Sequence, residues 1–73
     1  MQISYDTKAD ALYIKLCEGE FVANKELEQG IIIDIGKGDI LLGIEVLGVS
    51  KRCKLEDLAK LEVRMSLDLA ASK

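Results

Sequence analysis

Apolar and polar positions alternate along most of this chain, and the period changes where the chain turns. From Gly30 to Leu47, two runs rich in β-branched residues flank the glycine-rich stretch Gly36-Lys37-Gly38-Asp39, the pattern of a β-hairpin. A two-residue turn on Lys37 and Gly38 would pair Ile35 with Ile40, Ile33 with Leu42 and Ile31 with Ile44, collecting six apolar side chains on one face. The other face would hold Asp34, Ile32 and Glu45, a mixed surface. Upstream, residues 1–5 alternate as a short edge strand, and 11–16 form a clearer strand with Leu12, Ile14 and Leu16 inward. Residues 21–27 suit a further strand, although their alternation leaves the inward face open.

Beyond the hairpin the period lengthens. Leu55, Leu58 and Leu61 recur at helical spacing, with Glu56 and Asp57 in the first turn, so a short helix is expected over 54–61. Two turns are marginal in isolation, and the leucines are expected to dock on the sheet. Strict alternation then returns over 61–69, predicting a tail strand with Leu61, Val63, Met65, Leu67 and Leu69 in one row. The expected fold class is α+β: a small antiparallel β-meander of five or six strands with one short helix in the C-terminal half. Residues 1–73 are expected to be a single domain, with the sheet in 1–50.

Composition narrows what such a sheet can do. The hydrophobic fraction is 49% with one Phe, two Tyr and no Trp, so any core must be built from Ile, Leu and Val. At 73 residues the chain lies near the lower limit for a self-sufficient core, and oligomerisation is one way to supply the deficit. A net charge of −3 argues against a nucleic-acid binder and suits a basic protein partner. Apolar runs broken by Asp or Gly are too short for a membrane span. Cys17 and Cys53, without a signal peptide, fit reduced thiols in the cytoplasm. Histidine is absent, which removes the commonest general base and metal ligand.

The stretch Tyr5-Asp6-x-x-Ala9-Asp10-Ala11-Leu12-Tyr13-Ile14-x-Leu16, followed by Gly30-x-x-x-Asp34 and Gly43-Ile44-Glu45-x-Leu47-x-x-Ser50-Lys51-Arg52, resembles the domain of unknown function 2283 family of small prokaryotic proteins. The resemblance covers residues 3–52 and leaves the helix and tail outside. It implies a small α+β domain of antiparallel strands, some of whose members look like the antitoxin half of a two-gene module.

Asp6, Asp10, Tyr13, Asp34, Glu45 and Ser50 lie within those matching stretches and are the candidate functional residues. Carboxylate clusters bind oxygen-seeking cations, and paired carboxylates perform acid/base hydrolysis. The spacing here matches no calcium loop, and Asp at a turn ordinarily accepts backbone hydrogen bonds. Gly36-x-Gly38 lacks the third glycine and following helix of a dinucleotide loop. Lys51-Arg52-Cys53-Lys54 concentrates positive charge that would favour the Cys53 thiolate, but three basic residues without an aromatic platform suit a solvated loop. No catalytic residue, metal site or cofactor is assigned. The expected role is a protein-interaction domain that forms a homo-oligomer through a sheet edge or the tail strand, with Val63, Met65, Leu67 and Leu69 as interface residues. The alternatives are an antitoxin-like partner of a two-gene module and a small acid-dependent enzyme or divalent-cation binder using Asp10, Asp34 and Glu45.

Overall fold

In a computed structural model, which describes residues 1–66, the chain forms one antiparallel sheet followed by two short helices. The strands are β1 (Gln2–Asp6), β2 (Ala11–Lys15), β3 (Phe21–Glu28), β4 (Ile31–Gly36) and β5 (Ile40–Leu47), and their order across the sheet is β1-β2-β5-β4-β3. The meander β3-β4-β5 meets the β1-β2 hairpin through the pairing of β5 with β2, which leaves β1 and β3 as edges. The connection over residues 16–20 must therefore pass across the ends of β5 and β4. It is held there by backbone bonds: the Leu42 carbonyl accepts from Leu16 N at 2.8 Å and from Cys17 N at 3.2 Å, and the Glu20 carbonyl accepts from Lys37 N at 2.9 Å.

The central hairpin forms with a different register from the one its sequence suggests. Ile33 lies opposite Ile44, Asp34 opposite Gly43, Ile35 opposite Leu41 and Gly36 opposite Ile40. Two single-residue shifts account for the change. The turn takes three residues, Lys37, Gly38 and Asp39, with φ of 81° at Gly38 and 62° at Asp39. A bulge between Asp34 and Ile35 then leaves Leu42 as an extra residue on β5. A total slip of two keeps every upstream side chain on its expected face, because side chains alternate with period two.

Partners across a ladder share a face, so the register defines two unlike surfaces. On one face Ile3, Ile14, Ile44 and Ile33 form a row across four strands that ends on Lys25 of β3. The adjacent row runs Tyr5, Leu12, Val46 and Ile31 and ends on Glu28. On the opposite face lie Ser4, Tyr13, Lys15, Asp34 and Glu45.

Neither row is buried among the described residues. Among the described residues the only buried large apolar side chains are Leu42 and Val49, whereas all eight apolar residues of the two rows are half-buried. Among the described residues, tertiary contacts are dominated by the four strand pairings, and neither helix forms a layer over the sheet. The radius of gyration is 14.2 Å, against about 11 Å for a compact chain of this length. Leu42 owes its burial to the crossing connection, and a Cβ added at Gly36 would lie 2.9 Å from both Leu42 Cδ2 and the Glu20 carbonyl oxygen.

After β5 the chain differs from the expected single helix. Gly48, at φ 65°, turns it into α1 (Val49–Arg52), and α2 spans Leu55–Leu58. Lys54 at its start provides no side-chain cap, and Leu55 and Leu61 stay 46% and 56% exposed, so of the three leucines expected to dock only Leu58 is half-buried. Residues 61–66 have no regular secondary structure, and the rest of the expected tail strand over 61–69 lies outside the described residues. No helix among the described residues is long and apolar enough to cross a membrane.

Candidate functional site

Candidate residues gather in two places. At the β1-β2 turn, Asp6 Oδ1 accepts from Lys8 N at 2.9 Å and from Ala9 N at 3.2 Å, the local bonding that Asp supplies at a turn. The turn delivers Asp10 with φ 52°, a left-handed conformation that Asp tolerates better than most residues. Its carboxylate then receives the Tyr5 hydroxyl at 2.6 Å, the Ser50 hydroxyl at 2.6 Å and Ser50 N at 3.1 Å. The Asp10 backbone carbonyl accepts from Val49 N at 3.1 Å. One residue thus ties the start of α1, forty positions away, to the β1-β2 turn.

The charge state of Asp10 follows from these bonds. Donation by the Ser50 hydroxyl, and next by the Tyr5 hydroxyl, holds its carboxyl below the ordinary aspartate range. The same bond to Asp10, reinforced by partial burial, keeps the Tyr5 proton on to higher pH than usual.

The second group lies on the polar face. Tyr13 lies opposite Glu45 on β5, and its ring leans over neighbouring Gly43 to donate its hydroxyl to Asp34 Oδ2 on β4 at 3.1 Å. Partial burial, followed by the bond to Asp34 and that residue's charge, raises the Tyr13 pKa. Asp34 and Glu45 are diagonal rather than direct neighbours, a separation of about 7–8 Å. On the same face Lys15 forms a 2.7 Å ion pair with Glu18, which raises the lysine pKa and lowers that of the glutamate.

The two groups do not merge. Asp34 is level with Lys15, five positions along the chain from Asp10, a separation of about 16 Å at the strand rise. Asp10 therefore cannot share a cation or a bond with Asp34 and Glu45, and no group of three His, Cys, Asp or Glu among the described residues could hold a metal ion. A shallow depression of about 210 Å³ is lined by Met1, Gln2, Lys15, Leu16, Cys17 and Glu18, with none of the six candidates. Ser50, Tyr13, Asp34 and Asp10 act in the first instance as joints of the fold.

Three contributors escape a reading of the sequence. Gly43 makes room for Tyr13, Tyr5 serves Asp10, and Arg52 clamps the sheet end by donating Nε to the Leu47 carbonyl at 3.1 Å and Nη2 to the Gln29 carbonyl. All three stand in the matching family stretches, which is the signal the sequence offers. Of the expected interface residues, Val63 and Met65 are 55% and 70% exposed, and Leu67 and Leu69 lie outside the described residues.

A family model described as "Protein of unknown function (DUF2283)" matches residues 2–50, which includes both groups of candidates. No curated protein and no solved structure matches the chain.

Proposed function

Because the chain belongs to the DUF2283 family of proteins of unknown function, its role has to be argued from its own surfaces, and we propose that it is a protein-interaction domain that assembles through the apolar face of its sheet. One observation carries this reading: the two apolar rows across β1, β2, β5 and β4 are contiguous and only half-buried, while Leu42 and Val49 are the only large apolar side chains buried among the described residues. Contiguous apolar surface of this kind marks an interaction site.

The face is a better contact than either edge. β3 is exposed along its whole length, but it carries two register shifts and Lys25, Glu26 and Glu28, devices that blunt strand addition. The free, exposed thiols of Cys17 and Cys53 support a reducing, cytoplasmic setting. An antitoxin-like role would use the same face for a protein partner. A basic partner would instead meet the opposite face, where Asp34 and Glu45 lie. Acid-dependent catalysis and cation binding lose their support with the separation of Asp10 from Asp34.

Light scattering on a size-exclusion column, with and without Ile44→Lys at the centre of the apolar face, tests the proposal. The intact chain is expected to be larger than a monomer, and Ile44→Lys to reduce its size. A monomeric intact chain that also binds no dye specific for exposed apolar surface would sink it.

A further inference from the structure

Resting on that reading, we infer that the occupant of the apolar face is a second copy of this chain, packed face to face about a two-fold axis that runs across the strands, so that Lys25 of each copy meets Glu28 of the other. Lys25 and Glu28 carry the only charges that the strand register places on this face. They close adjacent rows at one edge, are exposed, have opposite sign, and form no ion pair with each other.

A two-fold axis between the rows lays each on its neighbour. Ile3 then stands over the partner copy's Tyr5, Ile14 over its Leu12, Ile44 over its Val46 and Ile33 over its Ile31. Lys25 stands over Glu28, twice by symmetry. The axis parallel to the strands would instead put β1 on β3 and bury Lys25 against Ile3, leaving an ammonium without a counter-charge. Charge complementarity therefore selects a second copy and an arrangement together, the self-complementary pattern expected of a two-fold dimer.

The area suits a weak dimer. Five strands spaced at about 4.8 Å, each contributing about five residues, project a footprint of about 400 Å². The exposed Lys25 and Glu28 side chains add to it at the β3 edge, and a total of about 800–1,000 Å² over the two copies corresponds to a weak, concentration-dependent dimer. Sheets packed this way lie about 10 Å apart with strands aligned to within about 30°. That offset displaces β3 by a few ångströms, within the reach of Lys and Glu side chains. The dimer would enclose the apolar rows that remain half-buried among the described residues of one copy.

Charge reversal on the full-length chain tests the arrangement. Lys25→Glu and Glu28→Lys, both at exposed positions, are each expected to raise the dimer dissociation constant roughly tenfold at low salt. The double variant should return it to within about threefold of the parent, and high salt should shrink all these differences. Circular dichroism checks that each variant keeps its sheet, with Ile44→Lys as the control for the face. If the parent is a monomer that binds apolar dye, the second copy is overturned while the interaction face stands. If Ile44→Lys dissociates the dimer but the charge variants do not, the two-fold arrangement is overturned. A dimer indifferent to Ile44→Lys overturns the underlying reading.

Discussion

The Tyr13 hydroxyl donates to Asp34 across an intervening strand, at 3.1 Å. Tyr13 is on β2 and Asp34 on β4, with β5 between them, so the ring has to lie across a position that presents no side chain. Gly43 is that position, opposite both Lys15 and Asp34. One hydrogen bond thus fastens three strands on the polar face and leaves the other face to its apolar rows.

Gly43→Ala is expected to destabilise the sheet. The added Cβ would come 2.3 Å from the Tyr13 hydroxyl oxygen, 2.6 Å from Tyr13 Cζ and 2.8 Å from the Ile14 carbonyl oxygen. The ring can swing away but the carbonyl belongs to the paired strand, so the cost should be about 1–3 kcal/mol. Tyr13→Phe in the same background should recover only part, since the ring carbon and the carbonyl still collide. Urea denaturation of the two variants measures both.

Alkaline titration should find both tyrosines reluctant to ionise. Tyr5 is held mainly by its bond to Asp10 and Tyr13 mainly by burial, and both pKa values are raised in the folded chain. A raised folded value means that the associated stability is complete below the unfolded tyrosine pKa of about 10. It is lost as pH rises from there through the folded values. Ultraviolet absorbance of tyrosinate, followed in the parent and in Tyr5→Phe, should show both transitions displaced upward and then converging as the sheet unfolds. Titration of both at the ordinary tyrosine value would refute it.

Asp10 gives the opposite pH signature. Its folded pKa is lowered, first by the Ser50 hydroxyl and then by Tyr5. Its contribution is therefore present above the ordinary aspartate value and disappears as pH falls through the folded one. Asp10→Asn should flatten this acid limb while keeping the left-handed φ of 52°, which Asn accepts. Asp10→Ala should lower the melting temperature further, because it loses the same bonds and strains the backbone as well. Melting curves across the acid range separate the two, and equal losses would mean that backbone conformation contributes nothing.

The faces were legible in the sequence because they depend only on alternation. Ile31, Ile33 and Ile44 share a face in both registers, since the three-residue turn and the extra Leu42 together move the pairing by an even number. Neither shift has a local marker: Gly36, Gly38 and Asp39 suit a two-residue turn as well as a three-residue one. The bond between Asp10 and Ser50 is equally hidden, because it depends on where α1 begins after Gly48 rather than on spacing. The leucines of 54–61 carry a helical period, but period alone does not supply a surface to dock on. Asp6 is the converse case, since an acid at a turn bonds locally and its role needs no knowledge of the fold.

Leu41 and Leu42 should respond very differently to truncation although they are adjacent and chemically identical. Leu42 is 8% exposed, held beneath the connection over 16–20, where Gly36 leaves it space; Leu41 is 38% exposed. Leu42→Ala opens a cavity at the point where the Leu42 carbonyl also anchors Leu16 and Cys17, and should cost about 2–4 kcal/mol. Leu41→Ala should cost less than about 1 kcal/mol. Because these backbone bonds hold the connection against Leu42, amide exchange at Leu16, Cys17 and Lys37 should accelerate in Leu42→Ala and stay at parental rates in Leu41→Ala. Equal effects of the two substitutions would mean that the bulge does not hold Leu42 inward, and that the alternating register continues unbroken to the turn.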